Sequence, residues 1–163
     1  MTAKYTVLGN TTLATASSSV TFSSIPGGYK DLVLVVNAAT TTNYAGANFQ
    51  LNGDTGSNYS VVRASGSGTS ASSGTATTSF GYLTFDGAAP TTEANSIIAE
   101  FLDFSATDKH KTVLVRNNST SGAVPAVEMM ANRWANTAAI TTLLVLTGSS
   151  FAAGSTFRLL GVN

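Results

Sequence analysis

The chain has 163 residues, enough for one domain with a core of its own. It has no cysteine, which excludes disulfides, zinc-thiolate sites, iron–sulfur clusters and a cysteine nucleophile. Only 10% of residues are charged, eight basic and eight acidic, so eight scattered cations cannot build a face that holds a nucleic-acid backbone.

Met1, Thr2, Ala3 and Lys4 run straight into the alternation of residues 5–8, with no apolar segment of the secretory kind. The first strand is expected there. Residues 11–19 are rich in Thr, Ala and Ser, so residues 1–18 read either as a strand or as a docking arm. A strand at 20–25 is closed by Pro26-Gly27-Gly28. Residues 31–37 are nearly continuously apolar, the pattern of a central strand covered on both faces, one of them by a neighbouring subunit. Residues 48–51 stop at Asn52-Gly53, and residues 59–64 read as the hairpin partner across the 52–57 connection.

The Ser/Gly/Thr tract of residues 65–78 holds no apolar side chain larger than Ala, so a flexible surface loop or arm is expected. Residues 80–85 form a strand with Phe80, Tyr82 and Thr84 on one side. Further strands follow at 97–104, 112–116, 127–134, 140–146 and 156–162. Residues 126–139 have a helical alternative, with Met129, Met130, Arg133 and Trp134 on one face. No apolar run approaches the roughly 18 residues that span a membrane. Short strands joined by polar turns predict one all-β domain over 1–163, an antiparallel β-sandwich, jelly-roll-like.

No constellation points to catalysis. Asp54-Thr55-Gly56 matches the core of an aspartic protease, but that chemistry needs two carboxylates about 3 Å apart behind a buried strand. Here Asn52-Gly53 precede it, so a polar loop is expected. His110, the single histidine, lies between Lys109 and Lys111, which disfavour a bound metal. Glu100 and Asp103 stand three apart in a strand, on opposite faces, unlike a glycosidase pair. Glu93 and Asp108 are loop acids, and Asp86 or Asp54 could hold calcium only with several carbonyl partners. The chain is therefore read as a non-enzyme with no cofactor and no resident metal. Arg133 and Trp134, with Tyr44 and Tyr59, are the candidate contacts to a partner surface or a glycan, since Trp and Arg are enriched at interface hot spots. For Trp134 the alternative is a place in the core.

One order of motifs carries more. Val20-Thr21-Phe22-Ser23-Ser24-Ile25-Pro26 is followed by Tyr29-Lys30-Asp31-Leu32-Val33-Leu34. Then come Phe49-Gln50-Leu51-Asn52-Gly53-Asp54 and Ser57-Asn58-Tyr59-Ser60. Trp134, Ala139-Ile140-Thr141 and the closing Phe151 to Val162 segment complete the order. In this the chain resembles a β-sandwich domain widespread in tailed-phage virion proteins, especially phages of cyanobacteria and marine bacteria. Leu160 stands where that pattern has an aromatic residue. The resemblance implies a capsid decoration (cement) protein, a homotrimer on the capsid surface of the virion, bound to the major capsid protein. It carries no catalytic residues. The alternative it leaves is a tail-fibre module that recognises host glycan. The sequence enters the domain almost at once, without a fibre shaft, which favours decoration. A hydrolase acting on that glycan is a third reading, weakened by the shortage of paired acids.

Overall fold

The computed structural model describes residues 4–42, 45–84, 94–121 and 124–163, with the backbone alone over 119–121 and 124–126. Twelve strands form two antiparallel sheets, and no helix occurs among the described residues. The strands are β1 (Tyr5–Thr12), β2 (Ser17–Phe22), β3 (Asp31–Ala38), β4 (Ala47–Leu51), β5 (Tyr59–Gly66) and β6 (Ala71–Thr78). They continue with β7 (Gly81–Tyr82), β8 (Asn95–Leu102), β9 (Lys111–Ser121), β10 (Val124–Trp134), β11 (Leu143–Phe151) and β12 (Thr156–Val162). The large sheet has the order β1-β12-β3-β8-β9-β10-β5-β6 and the small one β2-β11-β4-β7. The first five strands alternate between the sheets, and the two chain ends wind together as β1 on β12 and β2 on β11. The fold is thus the expected all-β, jelly-roll-like sandwich.

Period-two alternation builds the core. Leu32, Leu34 and Val36 of β3 are fully buried, and they face Phe49 and Leu51 of β4 and Val145 of β11 in one cluster. Ala99 and Phe101 of β8, Val113 and Val115 of β9, and Phe157 and Leu159 of β12 extend it across the large sheet. Phe49 meets Phe101 and Tyr59 edge-on at ring-centre separations of 5.4 and 6.1 Å. Phe49 needs a glycine at position 81, since a Cβ there would lie only 2.1 Å from its Cζ.

Several expectations are corrected. Residues 59–64 do not pair with 48–51. Asn52 and Gly53 do turn the chain, both at positive φ (52° and 71°), with Asp54 N–H bonded to Leu51 C=O at 2.9 Å. The turn, however, carries the chain from the small sheet to the large one, because Phe49, Leu51, Tyr59 and Val61 must all face the same interior. The 65–78 tract is not a loop. It completes β5, turns at 67–70 with Gly68 at φ 83°, and returns as β6 in register from Tyr59–Thr78 to Gly66–Ala71. An edge strand needs little core, and β-branched Thr with backbone pairing suffices. The 1–18 segment is no docking arm over its described part: β1 pairs along its length with β12. Residues 126–139 are strand to Trp134 and irregular beyond, not helix. The 80–85 strand shrinks to β7; Phe80 and Tyr82 do share a side, ring centres 5.2 Å apart, while Phe85 lies outside the described residues. The outer face of β3 is only half-buried at Val33 and Val35 within one chain.

Buried Asn132 of β10 stitches the sheets together. Its Oδ1 accepts from Tyr82 N–H at 2.9 Å and its Nδ2 donates to Tyr82 C=O at 3.1 Å, so one side chain pairs with β7 as a strand would. Replacing it removes both partners of that backbone. Asn132→Leu should lower unfolding free energy by about 1–3 kcal/mol, read by urea denaturation with Trp134 fluorescence.

Candidate functional site

Three of the sequence candidates, Asp54, Tyr59 and Trp134, converge in one place, and it is a structural knot. Asp54 follows the Asn52-Gly53 turn. Its Oδ1 accepts from Gly56 N–H at 2.9 Å, and its carboxylate takes Asn58 Nδ2 at 2.9 and 3.1 Å. Its Oδ2 also accepts the indole N–H of Trp134 at 2.7 Å. Trp134 stacks on Tyr59 with ring centres 6.4 Å apart at 20°. The Tyr59 hydroxyl accepts from Leu51 N–H at 2.9 Å and donates to Asp54 C=O at 3.1 Å. Burial alone would raise the Asp54 pKa. The hydrogen bonds from Trp134, Asn58 and Gly56 outweigh it and hold the carboxyl below its ordinary value of 3.8. Burial pushes the Tyr59 phenol up to about 12, against the Leu51 bond and helped by the nearby Asp54 charge.

Trp134 and Tyr59 are each 1% exposed, so neither offers a ring to a glycan or a partner. The core alternative is the one Trp134 takes: it is on the inward phase of β10, alternating with exposed Arg133. This corrects their candidacy as contact residues. Tyr44 lies outside the described residues, as do Asp86 and Glu93. Of the three described candidates, Arg133 alone is on the surface. Its Nε and Nη2 lie 3.1 and 2.7 Å from His110 Nδ1, so the one histidine is engaged by a cation.

The remaining acids are dispersed. Glu100 of β8 pairs with Arg116 of β9 at 3.1 Å, and Asp103, in the turn after β8, with Lys109 at 3.4 Å. Among the described residues no three His, Asp or Glu side chains gather as a metal site. Two buried polar sites were not foreseen. Lys111 is fully buried, and its Nζ donates to the carbonyls of Ala106, Lys109 (3.0 Å) and Thr137 (3.1 Å). Burial lowers its pKa. Glu128 accepts from Asn117 Nδ2 at 2.9 Å, which also donates to Leu83 C=O at 2.9 Å. The signal for both was a polar residue in phase with inward apolar ones: Lys111 with Val113 and Val115, Glu128 with Met130.

What the surface does offer is an apolar sheet face. The outward positions of the large sheet run in register from Val7 through Leu160, Val33, Glu100, Leu114 and Ala131 to Val62. Met129 is 68% exposed, Val127 62%, Tyr5 61%, Val62 60% and Leu114 41%. Val62, Ala64, Leu114, Met129 and Ala131, with Arg116 at the rim, line an open concavity of about 560 Å³. A chain that folds alone seldom leaves so many large apolar side chains on one face unless something covers them.

No family model matches the chain, and no curated protein matches it. Among solved structures, a galectin of Caenorhabditis elegans, LEC-6, shares 13% identity over 94% of this chain and 95% of that one, with a TM-score of 0.36. A likeness so remote says nothing of what this chain does.

The Asp54 knot has a pH signature. A carboxyl whose folded-state pKa is depressed gives stability that is full above the unfolded value of 3.8 and is lost as pH falls through the folded value below it. Chemical denaturation below pH 4 should show that loss, and Asp54→Ala should remove it. At neutral pH the same variant leaves the Trp134 N–H without its acceptor and should cost about 1–3 kcal/mol.

Proposed function

We propose that this chain is a structural protein of a tailed-phage particle, a decoration protein that sits on the outer capsid and stabilises the shell, and that it catalyses nothing. The observation that carries the reading is the apolar outer face of the large sheet. A module that works by burying surface needs such a face and needs no cleft of converging polar groups. The sequence resemblance supports the same assignment, since its motif order covers the chain from about Val20 onward. The sparse charge supports it as well: eight cations and eight anions leave no net repulsion between closely spaced copies. The mechanism is mass action. Copies bind the expanded shell and not its disrupted form, so binding adds to shell stability. The partner is the major capsid protein, with copies of the chain beside one another.

The glycan-binding alternative has lost two of its aromatic candidates, because Trp134 and Tyr59 are in the core.

Purified protein added to capsids stripped of it should raise their melting temperature in a saturable way. At a free concentration of 100 times Kd the gain is about 2.7 kcal/mol per site. Scanning calorimetry of shells with and without the protein measures it. Unchanged melting at saturation would refute the assignment.

A further inference from the structure

We infer that Asn52-Gly53 is a latent site of self-modification: the loop of residues 139–142 holds the Asn52 amide out of reaction, and deamidation there unfastens that end of the sandwich. The site is independent of what covers the large sheet.

The sequence supplies the reactivity. Asn52 is the one asparagine of the chain that glycine follows. Glycine has no Cβ, so its backbone nitrogen approaches a neighbouring side chain unhindered. Attack of the Gly53 nitrogen on Asn52 Cγ forms the N–Cγ bond of a five-membered succinimide. The Cγ–Nδ2 bond breaks, and ammonia leaves with the proton that the Gly53 nitrogen gives up. Water then opens the ring. Addition at Cγ yields aspartate. Addition at the main-chain carbonyl yields isoaspartate, whose backbone runs through Cβ and Cγ.

The structure supplies the restraint. Both residues are exposed, so water and base reach them. The Gly53 N–H donates to no group among the described residues, so the nucleophile is free. The amide it must attack is held. Asn52 Nδ2 donates to Ala139 C=O at 2.8 Å. Its Oδ1 accepts from Thr141 N–H at 2.8 Å, Thr142 N–H at 3.0 Å and the Thr141 hydroxyl at 3.3 Å. Ring closure needs the amide carbon to swing over the Gly53 nitrogen, and that movement breaks the bonds to the loop. The loop is itself anchored. Ile140 is buried with its N–H on Phe104 C=O at 2.9 Å, and Thr141 C=O accepts from Ile25 N–H at 3.0 Å. Reaction therefore waits for the loop to open locally.

The product cannot close the clamp again. Either acid lacks the NH₂ donor, and aspartate sets a carboxylate against Ala139 C=O. Isoaspartate also lengthens the main chain at a left-handed position, φ 52°, so the turn and the loop lose their register.

The test is peptide mass spectrometry of the full chain incubated at mildly alkaline pH, following the amide-to-acid mass gain at residue 52. Folded wild type is compared with the chain unfolded in urea, with Ile140→Ala, and with Leu159→Ala, a buried position on β12. The expected result is deamidation at least about tenfold slower in the folded chain than in urea. Ile140→Ala should react faster than Leu159→Ala when each is held the same margin below its melting temperature. The modified fraction, separated by ion exchange, should melt below the unmodified one. Equal rates in the folded and unfolded chain overturn the restraint. Equal rates in the two variants mean that only global unfolding exposes the amide, and they overturn the local gate. An unchanged melting temperature of the modified fraction overturns the unfastening. If Ile140→Ala fails to fold, hydrogen exchange of the Thr141 and Thr142 amides in wild type takes its place. Exchange by local opening supports the gate, and exchange by global unfolding alone overturns it.

Discussion

The indole N–H of Trp134 and the carboxylate of Asp54 meet at 2.7 Å, and much of this sandwich is arranged so that they can. Asp54 belongs to the crossing from β4 to β5, where the chain leaves one sheet for the other. Trp134 ends β10, an interior strand of the large sheet. Tyr59 begins β5, stacks beneath the indole and ties its hydroxyl to both Leu51 and Asp54. A buried aromatic ring with a polar tip has few places to sit, because the ring must be dry and the N–H must be satisfied. Here both demands are met at the rim, where the crossing chain supplies the acceptor. Neighbouring bonds extend the brace: Asn52 donates to Ala139 C=O and accepts from Thr141 and Thr142 N–H, so the loop before β11 is held by the same turn.

Most strands were legible because inward apolar residues recur with period two, as Leu32, Leu34 and Val36 do. What was illegible was pairing. Asn52-Gly53 announces a reversal, and the reversal is there, but a turn specifies only four residues. Which strand then lies beside which depends on where Phe49 and Tyr59 find a common interior. The 65–78 tract failed for a related reason. Hydrophobicity locates strands that face a core, and β6 is held by backbone pairing to β5. The candidate site was legible as residues and not as roles. Asp54, Tyr59 and Trp134 were each singled out, yet their being one another's partners is a fact of three-dimensional register. Trp134 shares its phase with Met130 and Asn132, and that phase was the available sign that it is buried.

The buried polar groups share a pattern. Lys111, Asn132 and Glu128 each replace an apolar residue on an inward phase, and each is occupied by backbone or amide partners. Lys111 and Asn132 meet backbone carbonyls that would otherwise go unmatched, and Glu128 fixes Asn117 on β9. Inside, these polar groups fasten strand to strand and strand to loop. The outside of the large sheet carries exposed Val, Leu and Met beside Glu100 and three arginines.

The two edges of the large sheet bear on whether it can be extended sideways. β1 carries a bulge between Val7 and Gly9, which breaks the regular row of donors and acceptors. β6 offers an unbroken row, but its side chains are only Ala, Ser, Gly and Thr. A strand added there would gain backbone bonds and almost no dry contact, whereas amyloid-like growth requires interdigitated apolar layers. Open-ended lateral addition of strands is thus poorly supported at either edge.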